Sequence, residues 1–160
     1  MAPDPVTATV HIAAPPERVW AYFTQPEAIV RWMGEYALLE PQPGGQFTVD
    51  VKGVPVRGRF LRLDPPHRLL ISWGYAGSDR LPPGASTVEV RLTPDGAGTR
   101  VDLEHRDLPS AEQPGHATGW THYLARLSAA TVGNPGPDPG MDDTAPSQAD
   151  LVRRRAYPRQ

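Results

Sequence analysis

The polar side chain best placed for chemistry in this sequence is a histidine on an otherwise apolar strand face. His105 alternates in phase with Val101 and Leu103, so we expect its imidazole to point into the protein. An inward imidazole can hydrogen-bond a ligand carbonyl or titrate near neutral pH. It can equally be satisfied by a neighbouring hydroxyl or a backbone carbonyl. The sequence leaves both roles open.

Large aromatic side chains are the other candidates for a binding site. A ligand cavity needs stiff apolar walls and a few polar groups that orient the ligand. The residues that we predict as cavity walls, together with His105, are Trp32, Phe60, Trp73, Trp120 and Tyr123. The alternative is that each of them simply fills the core, since aromatic side chains contribute heavily to core packing.

Most other site chemistries lack the residues that they need. The 160-residue sequence contains no cysteine, which excludes disulfides, thiol nucleophiles and cysteine-bound zinc. His116 and His122 are separated by a rotation of roughly 240° along a helix, so they do not share a face and make a poor metal pair. No His-Glu-x-x-His arrangement or nucleophile elbow is present. We therefore expect no metal, no cofactor and no catalytic constellation.

Alternation of apolar and polar residues predicts a run of strands that would carry these side chains. The predicted strands cover residues 7–12, 36–39, 46–51, 54–63, 68–74, 87–92 and 100–106. Pro15-Pro16 and Pro26 each mark the start of a short helix after the first strand. A long amphipathic helix is predicted over residues 115–131. The loops between consecutive strands are too short for crossover helices, so we expect antiparallel pairing.

The strand over residues 54–63 does not keep a single phase. If Val56, Gly58 and Phe60 point inward, strict alternation also turns Arg62 inward. A β-bulge near Gly58 or beyond would reset the phase. Without a bulge, Arg62 becomes a candidate cation inside the cavity that could meet a ligand carboxylate.

The outward strand faces carry charges of both signs, which indicates a water-facing surface opposite a face covered by the long helix. The sequence therefore predicts an α+β domain over residues 1–132. Residues 133–160 are rich in proline and glycine and poor in large apolar side chains. We predict that this C-terminal tail is disordered.

Charge and hydropathy limit the partners that the protein could have. The formal net charge of −2 gives no general attraction to nucleic acid or to an anionic membrane. No apolar run approaches the roughly 20 residues that span a bilayer, so we expect no membrane insertion. The first ten residues lack the pattern of a signal peptide, and we expect a cytoplasmic protein. The oligomeric state does not follow from these patterns.

Five stretches, in a fixed order, resemble a known family. They are PPERVWAYFTQPEAIVRWM from Pro15, GGQF from Gly44, GRFLRLDPPHRLLISW from Gly58, STVEVRLTPDGAGTRVDLEH from Ser86 and HATGWTHYLARL from His116. Together they are similar to the Aha1-type branch (activator of Hsp90 ATPase homologue) of the START-like, or Bet v 1-like (SRPBCC), superfamily. The resemblance implies a helix-grip fold, in which a curved antiparallel sheet wraps around the C-terminal helix and leaves an interior cavity.

The resemblance leaves three kinds of function open, because a shared fold does not transfer a shared activity. Superfamily relatives include lipid and hormone carriers, and our leading expectation is non-catalytic binding of a small apolar or aromatic molecule in the cavity. The second is a protein-interaction module, as in relatives that activate a chaperone ATPase, with Arg57 and Arg59 on an outward face. The third is an enzyme resembling polyketide cyclases or dehydratases, in which His105 would be the acid–base residue.

Overall fold

Seven antiparallel strands and one long helix form the structure. A computed structural model of the chain describes residues 4–133, 136 and 138. The strands are β1 (Val6–Ile12), β2 (Tyr36–Leu39), β3 (Gln46–Val51), β4 (Val54–Asp64), β5 (Arg68–Tyr75), β6 (Ser86–Asp95) and β7 (Gly98–Arg106). The helices are α1 (Pro16–Thr24), α2 (Pro26–Ile29), a short 3₁₀ helix (Ser110–Glu112) and α3 (Gln113–Val132). The predicted α+β helix-grip architecture is confirmed.

The strand order across the sheet is β1-β7-β6-β5-β4-β3-β2, and every neighbouring pair is antiparallel, as predicted. From β2 to β7 each strand pairs with the next one along the chain, which short turns allow. β1 pairs with β7 instead, because α1 and α2 carry the chain from one edge of the sheet to the other. β2 is consequently an edge strand.

α3 covers the inward face of the sheet. It begins at Gln113 with Pro114 in its first turn, where a missing N–H costs no hydrogen bond. Its buried large side chains recur at helical spacing: His116, Trp120, Tyr123, Leu124 and Leu127. Burial of each large apolar side chain stabilises the fold by about 1.5–3 kcal/mol.

Hydrogen bonds tie α1 and the residues after α2 to this core. The Tyr22 hydroxyl donates to the backbone carbonyl of Ala130 in α3, at 3.2 Å. The indole N–H of Trp32 donates to the backbone carbonyl of Tyr22, at 2.8 Å. These bonds, and an edge-to-face contact between Trp32 and Phe23, hold the Trp32 ring in one position beside α3.

β4 contains a bulge, which is one of the two alternatives that the strand pattern left open. Its register with β5 shifts between Phe60 and Arg62, so that Phe60 points inward and Leu63 packs against the core. Arg62 is exposed and its Nε donates to the Asp64 carboxylate, at 2.8 Å. The alternative role of Arg62 as a cavity cation is therefore wrong.

β5 is one residue longer than predicted. Tyr75, which the sequence pattern placed at the start of a loop, pairs with Val56 of β4 and is buried. Gly74 permits this extension, because a Cβ at Gly74 would lie 1.9 Å from the Pro82 carbonyl oxygen. The extra residue places the phenol ring of Tyr75 beside Trp73, with ring centroids 6.3 Å apart.

The outward face of the sheet holds one buried carboxylate. Glu89 of β6 is only 3% exposed, because arginines from β5, β6 and β7 cover it. Its carboxylate accepts hydrogen bonds from Arg68 (2.9 Å), Arg91 (2.7 Å) and Arg106 (2.7 Å). Burial alone raises the pKa of Glu89, but the three arginines outweigh burial and lower this pKa to about 2. The sequence predicted a water-facing surface of mixed charge here.

The expectations about membrane insertion and about the C-terminal tail can be compared only with the described residues. Among the helices of the described part, none is long and apolar enough to cross a membrane. The predicted disorder of residues 133–160 falls almost entirely on residues outside the described part, apart from residues 133, 136 and 138.

Glu89→Gln should destabilise the protein, since it removes the charge that three arginines hydrogen-bond. We expect a loss of about 2 kcal/mol in the free energy of unfolding at pH 7, measured by urea denaturation. The folded-state pKa of Glu89 is depressed, so this contribution is complete above pH 4.5 and disappears as the pH falls towards 2. The wild-type and variant curves should therefore converge at acid pH.

Glu104→Gln is the matched control, because Glu104 lies on the same face but is 38% exposed and pairs with Arg106 alone. It should change the free energy of unfolding by less than about 1 kcal/mol. Equal losses in the two variants would show that the arginines do not act through Glu89.

Candidate functional site

The six predicted site residues separate into two groups in the structure. Phe60, Trp73, His105 and Trp120 lie together under the middle of α3, while Trp32 and Tyr123 lie towards the side of the helix that faces the α2–β2 segment. All six are buried. The first group is a packed aromatic cluster, and the second adjoins an open cleft.

Trp73 is the hub of the central cluster. Its ring centroid lies 5.1 Å from Trp120, 5.8 Å from His105 and 5.9 Å from Phe47. Phe47 in turn meets Phe60 edge to face at 5.6 Å. Rings at these separations are in direct contact, and such pairs add about 0.5–1.5 kcal/mol to the effect of burial alone.

The hydrogen bonds of His105 fix its protonation state. Its Nδ1 lies 3.0 Å from the indole nitrogen of Trp120, which can only donate, so Nδ1 carries no proton. Its Nε2 lies 2.8 Å from the Ser86 hydroxyl. That hydroxyl donates its own proton to the Trp73 carbonyl, at 2.8 Å, and therefore accepts from Nε2–H. His105 is a neutral imidazole with both nitrogens bonded inside the protein.

His116 of α3 is held by a second chain of hydrogen bonds. Its Nδ1 lies 2.7 Å from the backbone carbonyl of Glu112, which can only accept, so the proton is on Nδ1. Its Nε2 accepts from the Tyr75 hydroxyl at 2.7 Å, and that hydroxyl accepts from the indole N–H of Trp73 at 3.1 Å. The two imidazoles meet edge to face with centroids 5.2 Å apart.

Burial dominates the electrostatics of this network. It lowers the pKa of His105 well below its usual value, and the neighbouring His116 lowers it further. Burial also lowers the pKa of His116 to about 4, against the smaller opposing effect of the Glu112 carbonyl. The pKa of the Tyr75 hydroxyl is raised for the same reason. All these groups are neutral at pH 7.

The central cluster offers no ring nitrogen for acid–base chemistry or ligand contact without breaking an existing bond. His105 is completely buried, and both of its nitrogens are bonded. A ligand that claimed either nitrogen would leave a buried Ser86 or Trp120 group without its partner, at a cost of about 1–3 kcal/mol. Within the described part of the chain, no three His, Asp or Glu side chains come together as metal ligands.

An open cleft of about 490 Å³ lies beside α3, between the α2–β2 segment and the β3–β4 turn. Its described lining residues are Val30, Arg31, Trp32, Gly34, Glu35, Lys52, Arg126, Gly136 and Asp138. Gly34 allows the two segments to approach closely: its φ is +89°, and a Cβ there would lie 2.6 Å from the Asp50 carbonyl oxygen.

Two arginines of this cleft bond to neutral groups. Arg126 donates through Nε to the Trp32 carbonyl (3.2 Å) and through Nη2 to the Gly136 carbonyl (3.0 Å). Arg31 donates to the Tyr22 hydroxyl (3.0 Å) and to the Gly133 carbonyl. Neither guanidinium forms an ion pair with a carboxylate of residues 4–133, 136 or 138.

Among the described residues, Asp138 supplies the carboxylate on the α3 side of the cleft. Its Oδ1 lies 2.8 Å from Nε2 of His122, and it also accepts a hydrogen bond from the Tyr123 hydroxyl. Burial and this carboxylate together raise the pKa of Tyr123. The Asp138 backbone carbonyl accepts from Nζ of Lys52, at 2.9 Å. Gly136 and Asp138 therefore both lie against the cleft.

A second, polar groove of about 430 Å³ lies on the outward face of β3, β4 and β5. Its described lining residues are Gln46, Thr48, Arg57, Gly58, Arg59, Ser72, Pro83 and Gly84. Arg57 pairs with Asp50 at 2.8 Å, and Arg59 donates to the Gly44 carbonyl at 3.0 Å. The exposed Leu38 adjoins this groove, since it is opposite Thr48 on the edge strand β2.

Sequence reasoning missed Tyr75 and His116 of the central network and Arg31 and Arg126 of the cleft. The sequence indicated only that His116 makes a poor metal pair with His122. Its spacing from Trp120, i to i+4 on the same helix face, was the available signal. The two arginines are 95 residues apart and come together only through the fold, so no local pattern could identify them.

The buried histidines should make the protein sensitive to acid. Between pH 6.5 and 4 the unfolded chain binds a proton at His116 that the folded chain does not, so stability falls as the pH falls. His116→Gln removes this difference. We expect the loss of unfolding free energy between pH 7.5 and pH 4.5, measured with urea, to be about 2–3 kcal/mol smaller in the variant than in wild type.

Tyr75→Phe is the control for that measurement. It removes the hydroxyl that links Trp73 to His116 and should lower stability by about 1–2 kcal/mol at pH 7.5, while most of the wild-type pH dependence is retained, because the burial that chiefly lowers the pKa of His116 remains. An unchanged pH dependence in His116→Gln would show that this imidazole protonates readily in the folded protein.

Comparison with known proteins places this geometry in a family. The family model described as "Activator of Hsp90 ATPase homolog 1-like protein" matches residues 13–131. The solution structure of an AHSA1-like protein from Rhizobium etli is 48% identical, with a TM-score of 0.68 over 87% of this chain and 89% of that one. Comparison with curated proteins gave no significant match.

Other solved structures share the fold at lower identity. CalU16 from Micromonospora echinospora is 32% identical, with a TM-score of 0.65 over 78% of this chain and 74% of that one. A Plasmodium falciparum protein described as an HSP90 activator is 21% identical, with a TM-score of 0.65 over 78% of this chain and 94% of that one, and shows the fold alone. Because the family model spans nearly all of the sheet and α3, this chain belongs to the activator of Hsp90 ATPase homolog 1-like family.

Proposed function

We propose that the protein is a non-catalytic binding protein for a small molecule with an apolar or aromatic body. The ligand lies in the cleft beside α3, between the α2–β2 segment and the β3–β4 turn, and not at the centre of the interior. The observation that carries the proposal is the open cleft of about 490 Å³ at this boundary. Its size is within the range of known ligand pockets, about 300–1,000 Å³.

The packing of the interior supports this position for the ligand. Under the middle of α3 the rings of Trp73, Trp120 and His105 contact one another, and their polar atoms are bonded. A molecule placed there would have to separate these rings. At the side of α3 the cleft already exists, and Val30 and the buried Trp32 are among its lining residues. The central cluster then serves as the rigid support of the site.

A cleft-filling substitution tests the proposal. A panel of small aromatic and medium-chain aliphatic molecules is screened by native mass spectrometry, and the best binder is titrated by calorimetry. Val30→Phe should weaken binding at least about tenfold, because the added ring occupies cleft volume. Circular dichroism and the melting temperature establish that the variant is folded.

Val132→Phe is the matched control, since Val132 is 57% exposed and does not line the cleft. It should bind like wild type. Retained binding in Val30→Phe together with lost binding in Trp120→Phe would move the ligand to the interior. If no molecule of the panel binds, the result would contradict the proposed small-molecule function.

A second function, interaction with a chaperone, is favoured by the groove on the outward face. Its Arg57 and Arg59 stand beside the exposed Leu38, which is the mixture of cationic and apolar groups that an acidic protein surface with apolar side chains would contact. Family membership adds to this candidate, because the family is described by activation of a chaperone ATPase.

Charge reversal on this face tests the second function. If the protein stimulates the ATPase of a purified Hsp90-type chaperone, the double variant Arg57→Glu, Arg59→Glu should abolish most of the stimulation. The control is Arg100→Glu, an exposed arginine of β7 away from the groove. Equal stimulation by the two variants, or none by wild type, would exclude this face as the docking surface.

A further inference from the structure

We infer that the molecule bound beside Trp32 is an anion, a carboxylate attached to an apolar or aromatic body, and that Arg31 and Arg126 recognise its charge. This inference rests on the proposed function and specifies the chemical class of the ligand. It comes from the charges and the hydrogen bonds of the described residues that line the cleft.

The cleft has an excess of positive charge, although the whole chain has a net charge of −2. Its described lining contains three basic side chains (Arg31, Lys52 and Arg126) against two acidic ones (Glu35 and Asp138), which leaves one positive charge in excess. One carboxylate oxygen of Glu35 is already hydrogen-bonded, because its Oε2 accepts from the backbone N–H of Lys52, at 2.8 Å. The local field therefore favours an anion.

The guanidinium groups of Arg31 and Arg126 each have N–H donors that bond to no other described residue. A guanidinium carries five N–H groups in a planar fork that fits a carboxylate. Arg126 uses Nε and Nη2 on backbone carbonyls, and Arg31 uses one N–H each from Nη1 and Nη2. Nη1 of Arg126 and Nε of Arg31 have no partner among the described residues. These bonds hold both side chains in place without neutralising them.

The two arginines also lie next to each other. Nη2 of Arg126 approaches the backbone carbonyl of Arg31 at 3.5 Å, and the Arg31 guanidinium lies over the Tyr22 ring, 5.8 Å from its centroid. Both arginines line the cleft together with Val30, so a carboxylate bound there would meet cationic side chains while the apolar part of its molecule contacts Val30.

The chain itself already places a carboxylate in this cleft. Asp138 is bonded there by His122, Tyr123 and, through its backbone, Lys52. A ligand carboxylate that enters the same space is repelled by the Asp138 carboxylate. Removing the Asp138 charge should therefore strengthen anion binding.

The experiment compares two probes of the same shape, 2-naphthoate and the neutral 2-naphthamide, by calorimetry on the full chain. We expect wild type to bind 2-naphthoate at least about tenfold more tightly than 2-naphthamide, with an affinity that falls as salt is added. Arg126→Gln and Arg31→Gln should each reduce 2-naphthoate affinity about fivefold to tenfold and leave 2-naphthamide affinity unchanged. Asp138→Asn should raise 2-naphthoate affinity severalfold.

Arg100→Gln is the matched control, since it removes the same charge from the opposite side of the sheet. It should change neither affinity. If Arg126→Gln is poorly folded, Arg31→Gln and the salt dependence of wild type give the answer independently.

The outcomes separate the inference from the proposed function. Equal affinity for the two probes, both weakened by Val30→Phe, would overturn the anionic ligand and leave the binding cleft intact. No binding of either probe would overturn the inference, while a different molecule bound in the panel screen would still support the proposed function. A preference for 2-naphthoate that survives both arginine substitutions would also overturn the assignment.

Discussion

α3 covers the inward face of the sheet, and this contact determines which polar groups of the interior must be hydrogen-bonded within the protein. This contact buries two imidazoles, two indoles and a phenol, and each polar atom among them needs a partner inside the protein. Two hydrogen-bond chains provide the partners, one from Trp120 through His105 to Ser86 and one through Tyr75 to His116. Because both chains require neutral imidazoles, the interior is a rigid uncharged layer.

This layer decides where a ligand can bind. Rings that contact one another and have no spare polar atoms form a wall, and separating them would cost both packing and hydrogen bonds. Space remains where α3 passes the α2–β2 segment, since Gly34 lets the chain turn closely against β3 and leaves an opening along Arg126. On the proposed function, the ligand therefore lies at the side of α3, where the cleft is lined by both charged and apolar residues, and not under the centre of the helix.

The alternation of side chains made most of the fold predictable. The strands were identified because a half-buried sheet imposes a period of two, which is strong in β3 and β6. The bulge at Phe60–Arg62 stayed undecided, because a phase break in one strand is visible only against its partner. Tyr75 was misassigned since the glycine before it and the polar loop after it are typical of a turn.

The site was less predictable than the fold. All six residues chosen as cavity walls are buried, which their size and phase indicated. Their division between a packed cluster and a cleft depends on the rotation of α3 and on the path of the chain around Trp32. Arg31 and Arg126 are ordinary surface residues in the sequence, and only the fold brings them together. Local sequence patterns therefore predicted which side chains are buried, but they did not predict which residues distant in the sequence lie close together in the fold.

The position of the ligand is tested most directly by the indole N–H resonances in a two-dimensional ¹⁵N–¹H NMR spectrum. The chain has four tryptophans, and three of them mark the two sites. On titration with 2-naphthoate, the account predicts that the Trp32 indole resonance moves while those of Trp73 and Trp120 stay in place. Movement of the Trp73 and Trp120 resonances with an unchanged Trp32 resonance would contradict it and place the ligand in the interior.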